Sequence, residues 1–299
     1  MCITCGCGAP ESRTNLHHHS HTHGHDHDHA PDHGHAHAHG HSHGITGVAG
    51  SGHSGQHDDH LDHHDNQHHH THETVQDTGG RLLQLERDVL YENKLLAERN
   101  RGYCDAKGIL ALNLVSSPGS GKTQLLERTL TDLKGELNFA VIEGDQHTSN
   151  DADRIRATGT PAVQINTGKG CHLDAHMVLH ALQELKPAEN SVLFIENVGN
   201  LVCPAMFDLG EEVRVVIMSV TEGDDKPVKY PDMFHSSAVC VINKTDLLPY
   251  VPFDLEKAKA NARKVNPKLI FFELSCTSGE GLDSWYSWLC SKMQQKKDN

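Results

Sequence analysis

The chain has 299 residues, and its composition changes near residue 80. Residues 1–80 hold 23 of the 28 histidines, ten acids and one base, for a net charge of −9, whereas residues 81–299 carry 30 acids and 25 bases, for a net charge of −5. Because both parts are acidic, the composition argues against nucleic acid or an anionic membrane as a partner. The apolar runs are strand-sized and far shorter than the ~20 residues of a membrane helix.

Cys2, Cys5 and Cys7 stand at the start of the chain in the pattern Cys-x-x-Cys-Gly-Cys. Three thiolates and the terminal amino group offer four donors, and thiolates bind late first-row divalent ions tightly. The pattern predicts a nickel or zinc site within residues 1–16 and leaves a redox pair as the alternative. The same segment lacks the basic and apolar regions of a secretory signal, so we expect a cytoplasmic protein with reduced thiols.

Between residues 17 and 72, histidine alternates with glycine, alanine, serine, threonine and aspartate. A segment so poor in apolar side chains cannot offset the entropy of ordering its backbone, so we predict that residues 17–80 are disordered without metal. Neutral imidazole binds nickel, zinc and copper ions, which favours a metal-binding segment over a plain linker or a tag. Residues 81–299 are long enough for one folded domain.

The folded domain is predicted to begin with an amphipathic helix over residues 81–101, which ends near Gly102. The predicted strands that follow cover residues 109–115, 139–142, 162–165, 192–195, 213–219, 239–242 and 270–273. The other predicted helices cover residues 122–133, 173–185, 255–264 and 282–293. Continuous apolar strands separated by helices predict an α/β fold with a mostly parallel sheet and helices on both faces.

The first strand runs into a phosphate-loop sequence, and a helix follows it. Glycines let backbone N–H groups surround phosphates, Lys122 can reach the β and γ phosphates, and the Thr123 hydroxyl can bind Mg²⁺. Ser116 stands where this loop usually has its first glycine, and we expect only a modest change of the turn. This context favours a P-loop NTPase over a turn without a ligand. The predicted nucleotide contacts here are Ser117, Pro118, Gly119, Ser120, Gly121, Lys122, Thr123 and Gln124.

Acidic residues follow two further strands, where they would face the phosphates. We assign Asp145 and Glu196 to the Mg²⁺ ion and the attacking water, and Gly199 to the γ phosphate. Lys122, Asp145 and Glu196 are therefore the predicted catalytic residues. Whether Glu196 would contact Mg²⁺ directly or through water stays open. The alternative is that these acids only cap the strand ends.

A second metal site is predicted at Cys171, His172 and Cys203. Cysteine beside histidine at a predicted helix N-terminus indicates a ligand pair, because the helix dipole there favours a thiolate. Cys203 follows Glu196 by a few residues, so the nucleotide state would alter the metal geometry. A buried structural thiol is the alternative for Cys203. His176 and His180 continue a four-residue spacing, but an ordinary helix explains them equally well, and we do not assign them.

The nucleotide base is predicted to bind after the strand over residues 239–242. The Asp246 carboxylate can accept two hydrogen bonds from guanine that adenine cannot donate, which favours GTP over ATP. Lys244 can lie over the base, and Asn243 can tie this loop to the phosphate loop. Backbone N–H groups after the last strand would complete the pocket. The residues concerned there are Ser275, Cys276 and Thr277.

Together these motifs resemble the family of hydrogenase nickel incorporation proteins HypB. The motifs are the Cys-x-x-Cys-Gly-Cys start, the His-rich insert, Ser-Ser-Pro-Gly-Ser-Gly-Lys-Thr, Glu-Gly-Asp, Gly-Lys-Gly-Cys-His-Leu, Glu-Asn-Val-Gly-Asn and Asn-Lys-Thr-Asp. The resemblance implies a GTPase that carries nickel at Cys2, Cys5 and Cys7 and binds nickel or zinc at Cys171, His172 and Cys203. It also implies a homodimer formed with nucleotide or metal, a HypA-type metallochaperone as partner, and delivery of nickel to the precursor of the hydrogenase large subunit.

Two alternative functions stay open at this point. One is a urease-type nickel-insertion GTPase, which we would expect to lack the amino-terminal cysteine motif. The other is a nickel storage protein whose nucleotide site is only structural. Activation assays on urease and hydrogenase separate the first alternative, and a GTP hydrolysis assay separates the second.

Overall fold

The computed structural model describes residues 77–146 and 150–298. The predicted metal site at Cys2, Cys5 and Cys7 and the His-rich segment as far as residue 76 lie outside these residues, so both stay predictions. Within the described part of the chain, no helix is both long enough and apolar enough to cross a membrane.

Strands and helices alternate along the described chain. The strands are β1 (Leu110–Ser116), β2 (Phe139–Asp145), β3 (Ala162–Asn166), β4 (Val192–Glu196), β5 (Val213–Ser219), β6 (Val239–Asn243) and β7 (Ile270–Glu273). The longer helices are α1 (Asp77–Ala106), α2 (Lys122–Asp132), α3 (Asn150–Ala157), α4 (Ala175–Leu185), α8 (Leu255–Val265) and α9 (Leu282–Lys297). The shorter helices are α5 (Cys203–Met206), α6 (Lys226–Lys229) and α7 (Pro231–Ser236), and a 3-10 helix covers Thr245–Tyr250.

The strands form one seven-stranded sheet within the described residues, in the order β3-β2-β4-β1-β5-β6-β7. Every pair of neighbouring strands is parallel, so all the strand C-termini meet at one edge of the sheet. In a parallel sheet ligands bind at this edge, beside the point where the strand order reverses. The predicted α/β fold with helices on both faces is confirmed.

Alternate residues of β1 pack on opposite faces of the sheet, as the pleat requires. Leu110, Leu112 and Leu114 join a cluster with side chains of α2 and α9, whereas Ala111 joins a cluster with α1 and α4. Each of the three leucines is fully buried and contributes ~1.5–3 kcal/mol of transfer free energy to folding. Burial on both faces explains why the central strand is apolar at almost every position.

The first helix is longer at both ends than predicted. It begins at Asp77, so the predicted disorder of residues 17–80 is wrong for its last four residues. It also continues through Gly102, which is exposed, so a missing side chain there removes no contact. The helix ends at Ala106, and the chain then turns at Gly108, where φ is 61° and a Cβ would lie 2.6 Å from Asn190 Oδ1.

The remaining differences concern element ends and short helices. Each predicted strand is present, but β2 extends to Asp145 and β4 extends to Glu196, so both carboxylates belong to strands. Helix α4 begins at Ala175 instead of residue 173. Four helices were missed, because helices of eight residues or fewer show too little apolar periodicity to be recognised. These are α3, α5, α6 and α7.

Candidate nucleotide and metal sites

The phosphate-loop residues lie between β1 and α2. Gly119 and Gly121 have positive φ angles of 77° and 93°, a conformation that side chains rarely adopt. A Cβ at Gly121 would lie 2.4 Å from Asn243 Nδ2, so only glycine permits this approach. Asn243 Nδ2 donates to the carbonyl of Ser120 at 3.0 Å, and Lys244 Nζ donates to the carbonyl of Gly119 at 2.7 Å. The end of β6 is therefore tied to the phosphate loop.

The loop forms part of a cleft of about 540 Å³, a volume typical of small-molecule sites. The predicted catalytic residues Lys122, Asp145 and Glu196 all line this cleft, together with Gly199. A Cβ at Gly199 would lie 3.2 Å from the Cα of Pro118, so the Glu196 loop passes close to the phosphate loop. Among the described residues, the lining consists of residues 116–124 and 143–146 with Asp151, Arg154, Glu196, Val198, Gly199 and Lys244.

Glu196 is a buried acid of the cleft, with 1% of its surface exposed. Its Oε1 atom accepts hydrogen bonds from Lys122 Nζ at 2.9 Å and from Thr123 Oγ1 at 2.6 Å. Its Oε2 atom has no hydrogen-bond partner among the described residues. Because an unpartnered buried oxygen is costly, this arrangement suits a carboxylate that gains a partner when a ligand enters.

Glu143 was not predicted as a site residue, but it lines the cleft opposite Glu196 in the β2–β4 register. It is buried, and its Oε2 atom lacks a hydrogen-bond partner within the described part of the chain. Burial is the largest cause that raises the pKa of Glu143, and the negative charges of Glu196 and Asp145 add to it, so the pKa is about 8. The available signal was strand alternation, because residues two apart in β2 share a face of the sheet.

The loops after β6 and β7 bring the predicted base-binding residues together. Asp246 Oδ1 accepts a hydrogen bond of 2.5 Å from Ser275 Oγ, which orients the carboxylate. The N–H of Cys276 donates to Asn243 Oδ1 at 3.3 Å, and the N–H of Thr277 donates to Ser275 Oγ at 3.2 Å. These two N–H groups were expected to face the base. In the structure they donate to side chains of the same two loops. Burial raises the pKa of the Cys276 thiol to about 11.

The side chains of Cys171, His172 and Cys203 converge, with their candidate ligand atoms all within 4.8 Å of one another. Cys203 is fully buried at the start of α5. The ring of His172 packs on Phe207 with centroids 4.1 Å apart, and burial lowers its pKa, which keeps the imidazole neutral. Two thiols and a neutral imidazole are a ligand set for zinc or nickel.

The prediction that Cys171 and His172 lie at a helix N-terminus is wrong, because both residues precede helix α4. The Asp174 carboxylate caps the helix and accepts a hydrogen bond from the N–H of Met177 at 2.8 Å. The N–H of Ala175 donates to Asn93 Oδ1 at 2.8 Å, a contact with α1 that local spacing does not reveal. The helix dipole therefore acts on Asp174, while Cys171 lies in the preceding turn.

Comparison with known proteins gives the family. Residues 110–273 match the family described as CobW/HypB/UreG, nucleotide-binding domain. The hydrogenase maturation factor HypB of Escherichia coli strain K12 is 61% identical over 209 residues, which cover 70% of this chain and 72% of that protein. The chain belongs to the HypB family. The resemblance drawn from the motifs is thus confirmed.

Two solved HypB structures share this fold. HypB from Archaeoglobus fulgidus has a TM-score of 0.64 and 43% identity, covering 68% of this chain and 99% of that chain. HypB from Helicobacter pylori in complex with nickel has a TM-score of 0.64 and 38% identity, covering 68% of this chain and 96% of that chain. The nucleotide-binding domain of P-loop type is therefore confirmed.

A lysine that the sequence analysis did not select also reaches the cleft of this HypB-family chain. Lys226 Nζ donates to Ser117 Oγ at 2.9 Å and pairs with the Glu222 carboxylate at 3.1 Å. More than a hundred residues separate Lys226 from Ser117, so no motif spacing could connect them. Gln146, Asp151 and Arg154 line the cleft as well and were also missed.

The two candidate sites of this HypB-family chain are joined by hydrogen bonds between their loops. The N–H of Leu173 donates to Asn197 Oδ1 at 3.1 Å, and Asn200 Nδ2 donates to the carbonyl of Cys171 at 3.3 Å. From the β2 side, Gln146 Nε2 donates to the carbonyl of Gly170 at 3.0 Å. Residues beside the nucleotide cleft thus hold the backbone on either side of the candidate metal ligands.

Proposed function

We propose that this HypB-family protein hydrolyses GTP and uses the reaction to control the delivery of nickel to the large subunit of NiFe hydrogenase. The observation that carries the proposal is the set of hydrogen bonds between the Glu196 loop and the segment of Cys171 and His172. Family membership supports the hydrogenase assignment. The nickel in the H. pylori HypB structure supports nickel as the cargo.

GTP would bind with its phosphates in the loop of residues 116–124 and its guanine at Asp246. Lys122 Nζ now pairs with Glu196 at 2.9 Å, and the β and γ phosphates would replace this carboxylate as its partner. Binding would therefore release Glu196 from Lys122 at the same time as it places the γ phosphate beside Gly199. The loop that continues to Cys203 would therefore change its contacts directly in response to the charge of the γ phosphate.

The cleft also suits Mg²⁺, which prefers hard oxygen ligands. The Thr123 hydroxyl and the carboxylates of Asp145 and Glu196 would hold it, and the unpartnered Oε2 atoms of Glu143 and Glu196 fit such a charge. When bound, Mg²⁺ neutralises charge on the β and γ phosphates. Asp145 and Glu196 would in addition orient the attacking water, while Lys122 holds the transferred phosphate.

Loss of the γ phosphate would allow Glu196 to return to Lys122 and Thr123. Because Asn197 and Asn200 contact the backbone at Leu173 and Cys171, this movement would change the geometry of the three metal ligands. Nickel or zinc held by Cys171, His172 and Cys203 would then be released in time with hydrolysis. This is the physical link between the two activities.

The remaining parts of the proposal rest on the family resemblance and on the predictions for residues 1–80. Cys2, Cys5 and Cys7 would carry nickel, and the His-rich segment would store it. The protein would act in the cytoplasm as a homodimer that forms with GTP or metal. Its partners would be a HypA-type metallochaperone and the precursor of the hydrogenase large subunit.

The first test measures GTP hydrolysis by the full chain. Lys122→Ala and Glu196→Gln should each lower turnover by about a hundredfold, because each removes a group that holds the phosphate or the water. Lys229→Ala, an exposed lysine of α6, is the matched control and should leave turnover unchanged. No detectable hydrolysis by the wild-type chain, with nickel binding intact, would support the storage alternative instead.

The second test measures coupling. The nickel affinity of the thiolate site is measured by titrating the full chain. The signal is the charge-transfer absorbance that is present in the wild type and absent in Cys203→Ser. We expect the affinity to differ between GDP and a non-hydrolysable GTP analogue, and equal affinities would contradict the proposal. Activation of hydrogenase but not of urease in a reconstituted assay would separate the proposed function from the urease alternative.

A further inference from the structure

Arg154 of α3 lines the nucleotide cleft, and the proposed function assigns no role to its guanidinium. Its Nε atom donates to Glu127 Oε1 at 2.8 Å and its Nη2 atom donates to Glu127 Oε2 at 2.5 Å. Its Nη1 atom also donates to Asp151 Oδ1 at 3.2 Å. The main partner of this cleft residue is therefore a carboxylate of α2, which is held by two parallel hydrogen bonds.

Arg154 lies between the phosphate loop and the loop after β7. A second cavity, of about 850 Å³, shares the residues Gln124 and Arg154 with the nucleotide cleft and reaches Cys276 and Thr277 in the loop after β7. A nucleotide with its base in the predicted pocket and its terminal phosphates at Lys122 would have to pass between these two ends. The part of the nucleotide that would lie there is the α phosphate, which is bonded to the ribose.

The contacts assigned so far give the α phosphate no cationic side chain. Lys122 would meet the β and γ phosphates, whereas Lys244 donates to the carbonyl of Gly119 and would lie over the base. Among the described residues, the cleft lining contains four acids and three bases. Arg154 is the third base, so it is the cation of this lining that remains for the α phosphate.

The pair with Glu127 can be exchanged for a phosphate. A guanidinium presents its N–H groups in a planar fork that fits two oxygens of a carboxylate or of a phosphate. The side chains of Arg154 and Glu127 keep 47% and 24% of their surface exposed, and an ion pair with such exposure adds little to stability. Glu127 follows Thr123 by four residues, about 6 Å along the axis of α2, so the guanidinium has only a short distance to move.

We infer that Arg154 binds the α phosphate of the guanine nucleotide, and that Glu127 holds the guanidinium beside the cleft until the nucleotide enters. This role rests on the proposed binding of GTP in the cleft and adds a residue to that site. Ala152 and Ile155 are fully buried, so α3 holds the backbone of Arg154 while the side chain exchanges partners. The alternative is that the pair only connects α2 with α3.

The experiment measures the affinity of the full chain for GDP and for a non-hydrolysable GTP analogue by isothermal titration calorimetry. Arg154→Ala should lower both affinities by about 10- to 100-fold, because both nucleotides contain the α phosphate. Arg154→Lys keeps the charge but not the fork, so its affinities should lie in between. In GTP hydrolysis, the loss in Arg154→Ala should appear as a higher KM with kcat nearly unchanged.

Glu127→Gln separates the inference from the alternative, because it removes the competing partner of Arg154. We expect the affinity for both nucleotides to rise by about 2- to 5-fold. This rise should disappear when Glu127→Gln is combined with Arg154→Ala, since the carboxylate then has no guanidinium to hold. If the pair only connects the two helices, Glu127→Gln and Arg154→Ala should both lower the affinity.

Arg156→Ala is the matched control and should leave both affinities unchanged. Arg156 belongs to the same helix, is exposed to a similar extent and pairs with Asp153 at 2.9 Å, but it does not line the cleft among the described residues. A loss in Arg154→Ala no larger than in the control, a loss confined to the GTP analogue, or a lower affinity in Glu127→Gln would overturn the inference. Nucleotide binding without GTP hydrolysis in the wild type would contradict the proposed function instead, and the comparison of affinities would still decide the role of Arg154.

Discussion

Asn197, the residue after Glu196, accepts a hydrogen bond of 3.1 Å from the backbone N–H of Leu173, the residue after His172. Asn197 is completely buried, and its Nδ2 group also faces Asn113 Oδ1 of β1 at 3.4 Å. One side chain thus lies between the carboxylate that meets the phosphates and the backbone of the candidate metal ligands. A shift of the Glu196 loop can reach the metal site through this contact, in addition to the one from Asn200 to the carbonyl of Cys171.

Replacing Asn197 should therefore weaken the coupling between the two sites. Asn197→Leu fills a similar volume with an apolar side chain but leaves the buried N–H of Leu173 unpaired, which costs about 1–3 kcal/mol of stability. We expect the difference in nickel affinity of the thiolate site between GDP and a GTP analogue to become smaller, because the contact of Asn200 with Cys171 remains, while GTP still binds. Asn266→Ala is the control, because Asn266 holds carbonyls near residue 237 instead. Wild-type coupling in Asn197→Leu would show that this contact does not transmit the change.

Two buried cysteines provide a matched test of the metal ligands. Cys203 and Cys240 are both fully buried, but only Cys203 lies beside Cys171 and His172. Burial raises the pKa of the Cys240 thiol well above its usual range, so this thiol stays neutral. We expect Cys203→Ser to abolish the nickel–thiolate absorbance of this site and Cys240→Ser to leave it unchanged. Equal losses in both variants would point to a general effect on the fold.

The parts of the site that could be predicted from the sequence are those encoded by adjacent residues. The phosphate loop and Asn243 were recognised because their chemistry is contained in a few consecutive positions beside an apolar strand. Lys226 was missed because only the fold brings it to Ser117. The start of α4 was misplaced for the same reason, since the contact from Asn93 comes from another helix.

The orientation of Asp246 leads to a prediction about base specificity. Its carboxylate is held by Ser275 and would accept two hydrogen bonds from guanine. Asp246→Asn offers a donor in place of an acceptor, so GTP affinity should fall by about 10- to 100-fold. Xanthosine triphosphate carries an oxygen where guanine carries its amino group, and its affinity should rise. Competition between the two nucleotides measures the change in preference from GTP to xanthosine triphosphate. An unchanged preference for GTP would show that the base binds elsewhere.

A buried ion pair supports the chain segment that follows Cys203. Arg214 pairs with Glu211 at 2.7 Å and donates to the carbonyls of Ala205 and Phe207 at 3.0 and 2.8 Å. Burial alone would raise the pKa of Glu211. The positive charge of Arg214 and the hydrogen bond from Asn113 outweigh that effect and hold the pKa below its usual range.

The Glu211–Arg214 pair should therefore stabilise the fold in a pH-dependent way. Glu211→Gln should lower the free energy of unfolding by about 3–5 kcal/mol at pH 7, because it leaves the Arg214 charge buried without its partner. A carboxyl whose pKa is lowered by folding contributes above the unfolded pKa of about 4.3 and loses this contribution as the pH falls through the folded value. Denaturant unfolding should thus show a difference between wild type and variant that is constant near neutrality and shrinks below about pH 4.

Glu212→Gln is the control, because it removes an exposed pair with Lys296 and should cost at most about 1 kcal/mol. A Glu211→Gln difference that stays constant down to pH 3, or one no larger than that of Glu212→Gln, would contradict this account.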